Sequence, residues 1–249
     1  MKNHILLVTG SGRGIGAATA LLAAKAGYDV CINYSTDQAS AEATAAACRA
    51  EGVQALVVQA DIALEHEVKR LFAACDAGLG PVSHLVNNAG ILGTASRLDA
   101  VPAETIRRVM DVNVIGTMLC TKEAVLRMSR KHGGNGGAVV NISSIAATLG
   151  SAGEYVHYAA SKAAVDAFTV GIAKEVGPEG VRVNAVQAGT VDTSIHHTGG
   201  NPDRPAMVAA TAPLRRVAEA GDIAKAALWL LSDDASYTTG AVLRVGGGL

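Results

Sequence analysis

Thr9-Gly10-Ser11-Gly12-Arg13-Gly14-Ile15-Gly16 joins an apolar run, Ile5–Thr9, to an alanine-rich run, Gly14–Ala26. The first run reads as a strand and the second as a helix, so the glycines occupy a strand–turn–helix junction. Gly10 allows a sharp turn, Gly14 allows backbone to come close to a bound pyrophosphate, and Gly16 lets helix and strand pack closely. N–H groups at the helix start would then hold phosphate oxygens. Gly10, Ser11, Gly12, Arg13, Gly14, Ile15 and Gly16 are therefore the first candidate cofactor residues. The spacing is Gly-x-x-x-Gly-x-Gly, not the commoner Gly-x-Gly-x-x-Gly, and no Gly-Lys-Ser/Thr ending marks a Walker-type loop. A glycine-rich turn with no ligand is the plain alternative.

The rest of the chain repeats the alternation. Asp29–Asn33, Val53–Gln59, Val82–Asn87, Ala138–Ile142, Val181–Val186 and Ala241–Val245 read as further strands. Asp37–Glu51, Leu64–Ala77, a long pattern from Ala103 to Lys131, Val156–Val176 and Asp222–Leu231 read as helices. Gly133-Gly134-Asn135-Gly136-Gly137 stops the long one. The strands are short and nearly continuous in apolar content, as strands buried on both faces are. Alternation with helices implies right-handed crossovers and a parallel sheet of about seven strands. The expected fold is α/β, a single-domain doubly wound Rossmann fold over residues 1–249. Thr190–Ala220 lacks a period and holds Gly199-Gly200, Pro202, Pro205 and Pro213. Long loops in compact domains usually serve function, and 190–212 is read as a substrate lid.

Composition narrows the class. Of 249 residues, 49% are hydrophobic and 17% charged, which excludes a disordered chain. Twenty-one basic against 22 acidic residues give a net charge of −1, with no footprint for nucleic acid. No apolar run approaches the ~20 residues of a membrane span, and Ile5–Val8 is too short for a signal peptide. The four cysteines, Cys31, Cys48, Cys75 and Cys120, have neither disulfide-framework nor zinc spacing. Together these point to a cytoplasmic protein without metal.

Three observations suggest chemistry. Tyr158 and Lys162 lie one helical turn apart on one face. A phenol titrates near 10, and a neighbouring ammonium favours its anion, so the pair makes a general acid/base. Such pairs also arise by chance in helices. Ser143-Ser144 follows a buried strand at its carboxyl end, where ligands of open parallel sheets bind. Asn113 sits in the apolar helical stretch Asp111-Val112-Asn113-Val114 and demands a polar partner, which could be backbone alone. No Gly-x-Ser-x-Gly elbow sits at a strand–helix turn, and His196-His197 have no carboxylate at ligand spacing.

The dinucleotide is suggested by the end of the second strand. An acid there would hold the adenosine ribose hydroxyls, but Asn33, Tyr34, Ser35 and Thr36 precede the first acid, Asp37. Asn33, Tyr34 and Ser35 join the candidate cofactor residues; Arg13 could pair with a 2′-phosphate, and Ser35 and Thr36 could donate to it. NADP(H) is therefore expected in preference to NAD(H). Arg13 as a solvated loop charge is the alternative, and Asp37 reads as the N-cap of the next helix.

Taken in order, Thr9–Gly16, Asp61, Asn87-Asn88-Ala89-Gly90, Asn113, Ser144, Tyr158-x-x-x-Lys162 and Val183-Asn184-Ala185 span most of the chain. The sequence resembles the short-chain dehydrogenase/reductase family, of the 3-oxoacyl reductase and glucose dehydrogenase kind. Two departures stand out. Ala188-Gly189 replaces the family's usual Pro-Gly, and Gly153–His157 is one residue longer than in many relatives. The resemblance implies that Ser144 binds the substrate oxygen and Tyr158 gives or takes its proton. It implies that Lys162 holds the nicotinamide ribose and that Asn113 helps hold a proton-relaying water. Asp61 and Ile62 would contact adenine, Asn88, Ala89 and Gly90 the ribose side, and Val191 and Thr193 the carboxamide. The implied activity is hydride exchange between NADP(H) and a carbonyl or secondary alcohol, in a homotetramer built through the two long helices. A non-catalytic dinucleotide sensor on the same fold is the alternative, disfavoured by the intact Asn113, Ser144, Tyr158 and Lys162. An enoyl reductase is disfavoured because those relatives resemble a wider Tyr–Lys spacing.

Overall fold

A computed structural model describes residues 4–191 and 204–249. Thr193 and most of the expected lid lie outside the described residues.

Strands β1 (Ile5–Val8), β2 (Asp29–Tyr34), β3 (Ala55–Gln59), β4 (His84–Asn87), β5 (Gly137–Ser144), β6 (Val181–Ala188) and β7 (Val242–Val245) form one sheet. Its order is β3-β2-β1-β4-β5-β6-β7, and every pairing is parallel. Side chains alternate across the pleat, and the core divides accordingly. Leu6, Val8, Val30 and Ile32 pack on one face with α1 (Gly14–Lys25), α2 (Gln38–Ala50) and the helix Ala220–Leu231. Ile5, Leu7 and Cys31 pack on the other with α3 (Glu65–Gly78), α5 (Thr117–Met128) and α7 (Val156–Val176). This is the doubly wound arrangement. The chain reverses its direction of growth between β1 and β4, which opens a crevice at the carboxyl ends of the strands.

Three elements differ from the sequence reading. The long helix from Ala103 is interrupted: α4 (Ala103–Met110) stops early, Asp111–Gly116 forms a π-helical turn, and α5 follows to Met128. A wide turn leaves carbonyls out of register, and Thr117 Oγ1 meets that of Asn113 at 2.9 Å. Beyond β5 lies a single helical turn, α6 (Ala146–Leu149), ended by Gly150 at φ 80°. The stretch read as irregular holds a helix, α8 (Arg204–Thr211), before α9 (Ala220–Leu231). Alanine-rich residues 206–210 supply the helix propensity that the surrounding prolines obscured. Asp37 caps α2 as expected, accepting from Ser40 N at 3.0 Å.

Candidate active site

The crevice is a cleft of about 1050 Å³ that runs from the β2 and β3 ends to α6 and α7. Its floor is the glycine turn. Gly10 and Gly14 take φ of 61° and 57°, which side-chain-bearing residues rarely adopt. Asn88 locks the turn from β4, donating from Nδ2 to the carbonyls of Thr9 at 2.9 Å and Gly10 at 3.0 Å. Thr9 Oγ1 accepts from the N–H groups of Asn88 and Ala89, each at 3.0 Å. A Cβ on Gly16 would lie 2.5 Å from Asn88 Nδ2 and 2.6 Å from the Gly10 carbonyl, so only glycine lets α1 seat here. At Gly10, Gly12 and Gly14 the turn thus presents backbone to the cleft. That is the cradle a pyrophosphate needs, at the N-terminus of a twelve-residue helix.

Among the expected cofactor residues, Gly10, Gly12, Arg13, Gly14, Ile15, Asn33, Tyr34, Ser35, Asp61, Ile62, Asn88, Ala89, Gly90 and Val191 line the cleft. Ser11 and Gly16 do not; they hold the turn from behind. Ser11 Oγ donates to the Val8 carbonyl at 2.8 Å. Asn33 is buried and committed inward: its Oδ1 accepts from Gly10 N at 3.2 Å, and its Nδ2 donates to Ala60 at 3.1 Å. It shapes the turn and has little left for a ribose. The end of the cleft beside β2 carries Arg13, Ser35, Thr36 and Asp37. Hydrogen bonds from Ser40, helped by the Arg13 charge, hold the Asp37 carboxyl below its usual range. Asp61 is held as well, by Arg108 at 2.7 Å and by Ala63 N at 3.0 Å.

At the other end Ser144, Tyr158 and Lys162 share the cleft wall. β5 ends at Ser144, whose Oγ accepts from Ala146 N at 3.1 Å. Lys162 Nζ sits 5.7 Å from the centre of the Tyr158 ring and donates to the Ile142 carbonyl at 2.7 Å. Burial pushes this ammonium down to about 8, against the opposing pull of Asp166. A cation near a phenol stabilises the phenolate, so this wall can hold a carbonyl oxygen and exchange a proton with it.

Asn113 stands behind that wall rather than on it. Its Oδ1 accepts from Ile91 N at 2.8 Å, and its Nδ2 donates to the Ile91 carbonyl at 2.9 Å and to Ser161 Oγ at 3.0 Å. Ser161 Oγ in turn donates to the Tyr158 carbonyl at 2.7 Å. Asn113 therefore fastens the loop after β4 to the Tyr158 turn of α7. A Cβ on Gly90 would fall 3.3 Å from Asn113 Oδ1 and 3.4 Å from Lys162 Nζ, which places the three side by side. The demand for polar partners was visible in the sequence; their identity, 22 and 48 residues away, was not. Nothing in the sequence marked Arg108, Leu149 or Leu249, all of which line the cleft, while Tyr155, within the lengthened Gly153–His157 segment, lines it too.

Residues 10–249 match a family model described as enoyl-(acyl carrier protein) reductase, within the short-chain dehydrogenase/reductases. The chain belongs to the short-chain dehydrogenase/reductase family. An uncharacterised oxidoreductase of Escherichia coli, YgfF, is 48% identical over 98% of this chain and 99% of its own. An NAD+-bound xylitol dehydrogenase superposes with a TM-score of 0.90 at 28% identity, covering 99% of both chains. A blue fluorescent protein from a metagenomic library, in complex with NADPH, gives 0.88 at 34% identity, over 98% of this chain and 97% of that one. This short-chain dehydrogenase/reductase is thus an oxidoreductase of the class acting on CH–OH groups with NAD(P). The sensor alternative falls to the oxidoreductase and dehydrogenase relatives. No helix among the described residues is long and apolar enough to cross a membrane.

Proposed function

We propose that the protein catalyses reversible hydride transfer between NADP(H) and a neutral carbonyl or secondary alcohol, with Tyr158 as acid/base. The observation that carries this is the meeting of Tyr158, buried Lys162 and Ser144 on one wall of the cleft that holds the glycine turn. The cofactor, when bound, supplies or accepts the hydride. Gly10 to Gly16 would hold its pyrophosphate, Asp61 and Ile62 its adenine, Asn88 to Gly90 its ribose side, and Val191 and Thr193 its carboxamide.

Ser144 Oγ donates to the substrate oxygen and, with the Tyr158 hydroxyl, stabilises the charge that develops there, as an oxyanion hole does. Tyr158 gives its proton to that oxygen in reduction and removes it in oxidation. Lys162 favours the phenolate and binds the nicotinamide ribose. Asn113 acts as a positioning residue through Ile91 and Ser161. A relay water near Asn113 belongs to the same reading, with the main chain, not the committed side chain, as its holder.

Preference for NADP(H) rests on Arg13 and the hydroxyls of Ser35 and Thr36 at the adenosine end, and on the absence of an acid before Asp37, which is engaged as a helix cap. We also read residues 1–249 as one dinucleotide-binding unit and the protein as a cytoplasmic homotetramer. Its cysteines form no disulfide, and Ile115, Met118, Leu126 and Val170 are exposed on the π turn, α5 and α7. Sedimentation tests the assembly.

The deciding experiment follows NADPH and NADH consumption with aldehydes, ketones, 3-oxoacyl thioesters and an enoyl thioester. Carbonyl-dependent oxidation with NADPH favoured supports the proposal. Consumption of the enoyl thioester alone would replace it.

A further inference from the structure

Arg244 lies outside the cleft but joins two segments that wall it. From β7, its Nη2 donates to Thr148 Oγ1 at 2.7 Å and its Nη1 makes a longer contact, 3.5 Å, with the main-chain oxygen of Leu249. Its Nε donates to Gln187 Oε1 at 3.3 Å. Gln187 is buried and anchored, donating to Asp166 Oδ2 at 2.7 Å one turn beyond Lys162. One planar guanidinium, with five donors in a fixed fork, thus ties α6 and residues 246–249 to the sheet.

Both segments need such a tie. α6 is a single turn, too short to hold its own conformation, and is followed by left-handed Gly150 and Ser151, with φ of 80° and 48°. Residues 246–249 begin with three glycines. Leu149, adjacent to Thr148, and Leu249 both line the cleft. The charge pattern of the cleft agrees. Arg13, Asp37, Asp61, Glu104 and Arg108 come from the glycine turn, the ends of β2 and β3, and α4. Among the described residues, β5, α6, α7 and residues 246–249 contribute no charged side chain except Lys162.

We infer that Arg244 is a positioning residue that sets Leu149 and Leu249 as an apolar wall, so that the enzyme selects carbonyl substrates by an uncharged alkyl substituent. This rests on the hydride-transfer reading above. A methylene brought against such a wall is worth about fourfold in equilibrium terms.

The test is NADPH-dependent reduction of 2-butanone, 2-hexanone and 2-octanone, with NADPH dissociation constants measured in parallel to separate cofactor effects. In the wild type, kcat/KM rises by about fourfold for each methylene that reaches the wall. In Arg244→Met the rise flattens, through KM more than kcat, and Arg244→Lys recovers part of it. Thr148→Val removes the hydroxyl that accepts from Arg244, with its own bond to the Ile145 carbonyl, and gives the same flattening if Arg244→Met fails to fold. A wild type that binds NADPH and reduces no ketone overturns the hydride-transfer reading and the wall with it. A wild type that reduces them, with the same chain-length rise in Thr148→Val and the Arg244 variants, overturns the wall alone.

Discussion

Replacing Lys162 with Met should remove activity and make the protein more stable. Lys162 is 5% exposed, and burial lowers its pKa from 10.5 to about 8. The folded state therefore holds this proton less tightly than the unfolded chain. Below pH 8 both states are protonated, and the folded one carries the whole cost of burying the charge, about 3 kcal/mol at about 1.4 kcal/mol per pH unit. As pH rises through 8 toward 10.5 that cost disappears. Methionine has a similar length and no charge. It also leaves the Ile142 carbonyl without its 2.7 Å partner, a loss of about 1 kcal/mol. The net gain at pH 7 is about 2 kcal/mol, or about 4–8 °C in Tm for a chain of this size. At pH 10 the remaining charge cost and the lost hydrogen bond nearly cancel, so the gain vanishes. Chemical and thermal unfolding of both proteins without cofactor, at pH 7 and pH 10, measures this. A variant less stable than wild type at pH 7 refutes the burial argument. A variant stabilised equally at both pH values shows that the gain does not come from the charge.

Arg13→Ala should lower kcat/KM for NADPH by about ten- to a hundredfold with little effect on NADH, since one charge-assisted contact is worth about 1.5–3 kcal/mol; equal use of both cofactors by the wild type would show the adenosine end to be misread. Gly16→Ala forces a Cβ against Asn88 and the Gly10 carbonyl, so stability should fall by about 1–3 kcal/mol and NADPH affinity with it, both read from unfolding with and without cofactor. His84 is held down to about 3 by burial and by the nearby charges of His4 and Arg182. It stays neutral in the fold while the unfolded chain takes up a proton, so stability falls as pH drops below 6.5, by about 2 kcal/mol at pH 5. His84→Gln should flatten that part of the urea-midpoint profile.

Most of the framework could be read from the chain because its physics is local. Ile5–Val8 is apolar without alternation, as a strand buried on both faces must be. The glycine turn announced itself through residues whose lack of a side chain has a backbone cause at Gly10, Gly14 and Gly16. Asp37 was recognisable as a cap because the acceptor and the helix are neighbours in sequence. What escaped depends on distance along the chain. The π turn at Asp111–Gly116 is helical in pattern, and Ile62, which packs close to Gly116, lies far from it in sequence. Asn33 was grouped with the cofactor residues at the end of β2; the fold commits its side chain inward to Gly10 and Ala60. Arg108 meets Asp61 across 47 residues, and Arg244 meets Thr148 across 96. Neither pairing has a local signature.

The most direct test of the catalytic assignment is Tyr158→Phe, assayed with the best carbonyl substrate from the screen and with NADPH binding measured on the same preparation. The ring keeps its packing beside Lys162 but has no proton to give. Turnover should fall by about 10²–10⁴-fold or more, with the NADPH dissociation constant nearly unchanged. A Tyr158→Phe variant that binds NADPH and turns over near the wild-type rate would contradict the assignment.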